Sequence, residues 1–316
     1  MTTELRRLGR SDLLTSPIGF NAVSFTTGCG TVDPAEVSAI VAQLRETALA
    51  LIDVTDLTGS GEVEALFGRA IRGQRDAFVL TSRGGARYTV HGHLTTVDGR
   101  PENVASACDT TLRRLGTDHL DVYLLDRVDP HVPIEDSMGA LAALVAAGKI
   151  RHIGLSHVDA EQLRRAHAVH PVTVVAAEYS LLERSIEAEI LPTARELGVG
   201  LAAYRPLGRG LLTGRFTSPD QLAEGDYRWA DPRFWPENFG RVRAVTEAAE
   251  RLASLRHLSL ARLALTWLLA QGDDIVALPG TRNLTHLEMN LAAADVRLTP
   301  DEQAQLCSLL DPGKSA

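Results

Sequence analysis

Eight short apolar, often β-branched runs recur along this 316-residue chain, and the stretches between most of them carry apolar positions three and four apart. That is the rhythm of parallel βα units. The runs are IGFNAVSF (18–25), LALIDV (49–54), AFVLTS (77–82), LDVYLLD (120–126), IRHIGLS (150–156), VTVVAAEY (172–179), VGLAAYRP (199–206) and DIVALPG (274–280). Helices are expected at DPAEVSAIVAQLRETA, EVEALFGRAI, PENVASACDTTLRRLG, PIEDSMGALAALVAAGK, DAEQLRRAHAV, IEAEILPTARELG and SLARLALTWLLAQ. Several open on Asp or Pro and close on Gly, as helix capping requires. Eight strands alternating with helices favour a single closed (β/α)8 TIM barrel over residues 1–316. The rival is an open doubly wound sheet, and the absence of a GxGxxG after the first strand weighs against it. Residues 215–237, RFTSPDQLAEGDYRWADPRFWPE, are polar, aromatic and Pro-containing, and read as a long loop after strand 7.

Composition narrows the partners. A formal charge of −8 with no run of Lys or Arg gives no footprint for nucleic acid or an anionic membrane surface. Neither a signal-peptide core nor an apolar stretch of about 18 residues is evident, so the expectation is a soluble, cytoplasmic protein with a small-molecule substrate; the sequence does not set its oligomeric state. Cys29, Cys108 and Cys307 are too scattered for a disulfide framework or a zinc knuckle, and buried thiols are expected.

In a barrel of this kind, polar residues at the C-terminal strand ends line the mouth where chemistry is done. Those positions are Asp53 and Thr58, Ser82 and Arg83, Asp126, Ser156 and His157, Glu178, Tyr204 and Arg205, then Thr281 and Arg282. His157 is the candidate general base by residue type, and Asp53 and Asp126 are carboxylates that could face one pocket, where proximity raises one carboxyl's pKa. Arg205 could anchor a carbonyl-rich or anionic ligand. Tyr179, Tyr204, Tyr227, Trp229, Phe234 and Trp235 could wall an apolar pocket, or be packing. The spacing of Asp, Asp and His fits no metal knuckle, and no metal is expected. Ser82 and Ser156 lack a nucleophile-elbow context.

The stretches DVTDLTGSGEVEALFGRAI (53–71), LRRLGTDHLDVYLLDRVDP (112–130), GKIRHIGLS (148–156), YRPLGRGLLTGRF (204–216) and LPGTRNLTHLEMNL (278–291) together resemble the aldo-keto reductases, (β/α)8 oxidoreductases that use NADPH. The resemblance runs from about residue 4 to 310. It implies a tetrad in which an Asp supports a Lys, the Lys lowers the pKa of a proton-donating Tyr, and a His orients substrate. Carried onto this sequence, the Asp is Asp53, but the Tyr position is Thr58, the Lys position Ser82 and the His position Asp126. A threonine is a far weaker acid than a phenol, whose pKa is about 10. Arg83 could restore the cation only if its strand slips by one residue, since successive side chains point to opposite faces.

For the cofactor, the resemblance implies Ser156 and Tyr204 beside the nicotinamide, Pro206, Leu207, Gly208 and Gly210 around the pyrophosphate, and Thr281, Arg282 and Asn290 at the adenosine 2'-phosphate and adenine. Family contacts to the carboxamide fall instead at Ala176 and His157; the Ser after the stacking Tyr falls at Arg205, and an adenine-side Glu at Met289. NADP(H) is therefore possible, with weakened nicotinamide contacts. Three functions remain open at this point. They are a non-redox enzyme (lyase, dehydratase, isomerase or cyclase) on a small carbonyl-containing metabolite, a residual NADPH-dependent oxidoreductase, and a catalytically silent nucleotide-binding or regulatory protein.

Overall fold

The computed structural model describes residues 4–26, 32–56, 58, 60–89 and 93–309. Eight parallel strands form one sheet in chain order: β1 (Phe20–Asn21), β2 (Ala50–Asp53), β3 (Phe78–Gly84), β4 (Leu120–Asp126), β5 (Ile150–Ser156), β6 (Val172–Glu178), β7 (Gly200–Tyr204) and β8 (Ile275–Leu278). Backbone bonds from Gly19 N to Ala277 O (2.9 Å), Asn21 N to Pro279 O (3.1 Å) and Ala277 N to Pro17 O (3.0 Å) join β8 back to the β1 segment, closing the expected barrel. The seam needs a glycine. A Cβ at Gly19 would collide with the Leu51 carbonyl oxygen and come within 2.8 Å of the Leu278 side chain.

The surrounding helices are α1 (Pro34–Arg45), α2 (Glu62–Ala70), α3 (Pro101–Leu115), α4 (Ile134–Ala146), α5 (Ala160–Val169), α6 (Ile190–Leu197), α7 (Pro236–Leu255), α8 (Leu260–Leu269), α9 (Leu284–Leu291) and α10 (Pro300–Ser308). Inside the barrel, Leu51, Val79, Val122, Leu124, Val174, Ala202 and Val276 pack with Leu8 and Leu13, which flank the turn of a hairpin pairing Arg6–Arg7 with Leu14–Thr15. The interior is a filled core, and truncating such a side chain to alanine costs about 2–5 kcal/mol.

Strands β4 and β5 run over the expected residues, but the first run does not stay extended. The Asn21 side chain accepts from Val23 N at 2.9 Å and turns Ala22–Phe25 into a 3-10 helix. The expected loop at 215–237 is replaced by short turns over Pro219–Gln221, Tyr227–Ala230 and Pro232–Phe234 leading into α7. Leu211, Phe216, Leu222, Phe234 and Phe239 hold it in a small core of its own. Phe234 and Tyr179 are packing residues, not pocket walls: Phe234 is fully buried, and Tyr179 stacks edge-on against Trp267 with its hydroxyl donating to Glu187 at 2.7 Å. Cys108 is a buried thiol whose pKa burial and then Asp109 push up to about 12. Cys307 is only partly buried, and Cys29 lies outside the described residues.

Among the described residues no helix is long and apolar enough to cross a membrane.

Candidate active site at the barrel mouth

Side chains alternate across each strand, so every second residue of β2, β3 and β4 points into the barrel. Leu51 and Asp53 share one phase on β2, Val79 and Arg83 on β3, and Val122, Leu124 and Asp126 on β4; the lower apolar members fill the interior, and the last member of each reaches the mouth. Arg83 therefore enters the mouth in the ordinary register of β3, and no slip is needed. Ser82 faces the other way. Its hydroxyl lies 3.5 Å from Glu64 Oε1, and Thr111 and Arg114 reach the same carboxylate at 2.6 and 3.0 Å. The expectation that Ser82 takes the Lys position of the mouth is thus corrected: the inward cation there is Arg83.

Arg83 sits between two carboxylates. Its Nη2 donates to Asp53 Oδ2 at 2.7 Å, its Nε to Thr55 Oγ1 at 3.1 Å and its Nη1 to Ser156 Oγ at 3.3 Å, with Asp126 Oδ1 3.8 Å away. Asp53 and Asp126 are each only 1% exposed. Burial alone would lower the Arg83 pKa, but Asp53 and Asp126 outweigh it and hold the guanidinium above the ordinary arginine value. Asn21 Nδ2 reaches Asp53 Oδ2 at 3.3 Å, and the Thr55 hydroxyl makes a short hydrogen bond to Asp53 Oδ1. Asp53 is thus held by Arg83, by Asn21 and by the hydroxyl and backbone N–H of Thr55.

Asp126 has three neighbours besides the core. Its Oδ1 lies 2.9 Å from His157 Nδ1, its Oδ2 accepts from Tyr88 Oη at 3.0 Å, and Arg83 lies beyond. Burial pushes its carboxyl up, but His157, Arg83 and Tyr88 together hold it below the usual carboxylate value. This overturns the expectation for Asp126 as a carboxyl raised by a like-charged neighbour, because Arg83 separates the two acids. Tyr88 also accepts from Arg127 Nε at 3.0 Å, and its phenol is pushed up to about 12 by burial and then Asp126. Tyr88 was not among the expected site residues. It sits on a strand, Ala86–Tyr88, paired antiparallel with Leu94–Val97, and the alternation in ARYTV with a glycine two residues on was the available signal.

His157 Nε2 lies 3.2 Å from the Tyr204 hydroxyl, and Ser156 Oγ lies 3.0 Å from Nδ1. With Nδ1–H directed at Asp126, Nε2 is the nitrogen left to accept a proton, a tautomer assigned from these contacts. Arg127, His157 and Arg205 follow the ends of β4, β5 and β7 with φ of 69°, 55° and 50°. A left-handed backbone costs a side-chain-bearing residue about 1–2 kcal/mol. Three strand ends carry that strain at one mouth, which is where strained backbone concentrates when a site dictates it.

The remaining expected residues fall as follows. Thr58 Oγ1 donates to Asp56 Oδ1 at 2.8 Å within its own loop and, among the described residues, joins none of the mouth contacts. Arg205 donates to Glu178 Oε2 at 2.9 Å, and Arg233 to Glu178 Oε1 at 2.6 Å; both guanidinia hold the Glu178 carboxyl down against burial. Pro206 and Leu207 lead from β7 into a turn where Gly208, Arg209 and Gly210 have φ of 55°, 56° and 100°. Arg209 lies 3.0 Å from Asp231. After β8, Arg282 pairs with Glu36 at 2.6 Å, Thr281 is half-buried, and Asn290 is buried on α9. A cavity of about 230 Å³ opens beside His157 and Tyr204. A smaller one of about 120 Å³, among Leu252, Leu263 and Leu306, touches none of the mouth residues. Among the described residues, no three of His, Cys, Asp and Glu form a group suited to a metal ion.

A closed (β/α)8 barrel with buried ionised side chains gathered at its C-terminal mouth has the kind of site that barrel enzymes carry. The profile described as the Aldo/keto reductase family matches residues 17–311, and this chain belongs to that family. It is 36% identical over 325 aligned residues to aldo-keto reductase str7 of Strobilurus tenacellus, covering 98% of this chain and 93% of that protein. Among solved structures it resembles the glycerol dehydrogenase AKR11B4 of Gluconobacter oxydans, with 27% identity, a TM-score of 0.87 and coverage of 98% and 96%. It also resembles an aldo/keto reductase of Klebsiella pneumoniae in complex with NADP and acetate, with 26% identity, a TM-score of 0.72 and coverage of 96% and 94%.

Proposed function

We propose that this chain is a non-redox acid–base enzyme, a lyase, dehydratase, isomerase or cyclase, acting on a small carbonyl-containing metabolite. The observation that carries the reading is the Asp126–His157 couple, in which a buried carboxylate 2.9 Å from Nδ1 fixes the ring and leaves Nε2 beside the Tyr204 hydroxyl at 3.2 Å, both residues lining the cavity. An oriented imidazole of this kind takes a proton from carbon or oxygen and returns it. Three N–H groups of Arg83 serve Asp53, Thr55 and Ser156, and its guanidinium has five in all. Its guanidinium, 2.7 Å from Asp53 and 3.8 Å from Asp126, bridges the two acids with a cation behind the imidazole. Asp53 then supports Arg83 in place of a lysine, Tyr88 and Arg127 brace Asp126, and Thr58 and Ser82 have no part in the chemistry.

The fit to NADP(H) is divided. Thr281, Arg282 and Asn290, with the glycine turn at 208–210, suit the phosphate end, where Arg282 carries a planar charged fork that is paired with Glu36. At the nicotinamide end Ser156 and His157 are engaged with Arg83, Asp126 and Tyr204, and Ala176 offers a methyl group. No proton-transfer step here runs through the cofactor.

A second reading, NADP(H)-dependent carbonyl oxidoreduction, is favoured by the Asp53–Arg83 pair, a carboxylate–cation contact at the mouth where the family places Asp and Lys. It is also favoured by the NADP in the Klebsiella relative's structure. Two measurements separate the readings: calorimetric titration with NADPH and NADP, and exchange of α-hydrogens of a carbonyl panel in D2O. The acid–base reading expects exchange without nucleotide, abolished by His157→Ala. NADPH oxidation by a carbonyl compound, with no exchange in its absence, would establish the second reading. Nucleotide binding with neither activity would leave a silent binding protein.

A further inference from the structure

Thr281 and Arg282, where the family resemblance puts the adenosine 2'-phosphate, lie between β8 and α9. The arginine is held there by an acid from the other side of the barrel seam. Its Nε and Nη2 both donate to Glu36 Oε2, at 2.8 and 2.6 Å, and its guanidinium carbon lies 5.7 Å from the centroid of the buried Phe25 ring. Phe25 ends the 3-10 helix after β1, and Glu36 stands in the first turn of α1, where the positive end of a helix favours negative charge. The strand ends meet closely at this point, since a Cβ on Gly280 would come within 2.8 Å of the Asn21 carbonyl oxygen. The side chains of Arg282 and Glu36 are 26% and 39% exposed, so the contact is within reach of a ligand and not sealed in the fold.

We propose that Glu36 sets the nucleotide preference of this chain: it occupies the arginine that a 2'-phosphate needs and offers an acceptor to a free ribose 2'-hydroxyl, so that NAD(H) binds at least as tightly as NADP(H). The proposal rests on a nucleotide site being retained, as in the second reading above, and is independent of which reaction the mouth runs. Dinucleotide sites tell the two forms apart by an acid that accepts from the ribose 2'-hydroxyl or an arginine that receives the 2'-phosphate. Here both side chains stand in one contact, with the acid already seated on the arginine. A 2'-phosphate reaching Arg282 has to displace Glu36 and then lies beside a carboxylate, so like-charge repulsion opposes its attraction to the guanidinium. A ribose hydroxyl meets no such conflict. Both contacts from Arg282 fall on Oε2, and Oε1 is an acceptor for an O–H.

The test titrates the whole protein calorimetrically with NAD and with NADP, which differ by the 2'-phosphate alone, and with no carbonyl compound present. The wild type is expected to bind NAD at least as tightly as NADP. Glu36→Gln keeps the shape and removes the charge, and is expected to tighten NADP about tenfold, the effect of taking one carboxylate from beside a phosphate. The gain is expected to shrink as added salt screens the charges. Affinity for NAD is expected to change by less than about threefold, because the amide keeps a carbonyl acceptor. Glu36→Ala is expected to give the same sign for NADP, and adding Arg282→Met to Glu36→Gln is expected to erase the gain. Circular dichroism checks the folding of each variant. A wild type that binds NADP more tightly than NAD, or Glu36 variants whose ratio of NADP to NAD affinity matches the wild type, overturns the proposal while the nucleotide site stands. Absence of binding by both nucleotides refutes the site and the proposal together.

Discussion

Replacing Arg83 with methionine removes a cation within 4 Å of both mouth acids and leaves its length and apolar bulk in place. The guanidinium is 2.7 Å from Asp53 and 3.8 Å from Asp126, and all three side chains are at most 8% exposed. Breaking a buried pair by removing one partner costs about 3–5 kcal/mol, because the other charge is left without compensation. For a chain of 316 residues that is a fall in melting temperature of about 5–8 °C. Arg83→Lys keeps the charge but loses donors to Thr55 and Ser156, and is expected to cost about 1–2 kcal/mol. The pH dependence carries a sign. In the wild type, Asp126 is held below its unfolded value, so its stabilisation is fully present above the unfolded carboxylate pKa of about 4 and is lost as the pH falls through the lower folded value. In Arg83→Met the two acids lose the cation between them while His157 and Tyr88 stay on Asp126, one folded-state carboxyl is expected to rise above its unfolded value, and protonation then favours the native state. Urea denaturation at pH 7 and pH 5 is the assay, and the gap between variant and wild type is expected to narrow at pH 5. A variant within 1 kcal/mol of wild type at pH 7, or a gap that widens at pH 5, would refute the reasoning.

Ser82→Ala is expected to cost less than about 1 kcal/mol and to leave turnover unchanged, because its hydroxyl lies 3.5 Å from Glu64 Oε1, at the limit of hydrogen bonding; a tenfold loss of turnover would return Ser82 to the mouth. Asp126→Asn keeps the shape but removes the charge that fixes the His157 tautomer, so a fall in turnover of about 10² to 10⁴ is expected by analogy with other carboxylate–histidine couples, with folding checked by circular dichroism. Tyr88→Phe deletes a donor to Asp126 that helps hold its carboxyl down. The Asp126 contribution to stability is then expected to be lost at a higher pH on acidification, read as an upward shift of the acid unfolding midpoint.

Much of this was legible in the chain itself. Eight apolar runs spaced by helical stretches dictated a parallel barrel, and LDVYLLD and IRHIGLS marked β4 and β5 over their observed residues. The strand-end rule also put Asp53, Asp126, Ser156, His157 and Tyr204 at the mouth, because the last inward residue of a barrel strand has nowhere else to go. α7 escaped notice because it opens on Pro236 immediately after an aromatic, Pro-containing segment that reads as loop.

Tertiary structure alone decided which of Ser82 and Arg83 faces inward. The first five residues of β3, Phe78 to Ser82, are buried on both faces of the sheet, so no polar–apolar alternation reveals the phase. The phase is set by where Val79 packs inside the barrel, and every electrostatic conclusion follows from it. With Arg83 inside, Asp53 and Asp126 are bridged by a cation and Asp126 stays ionised to hold His157. A charge's effect depends on distance and burial, and those belong to the folded chain.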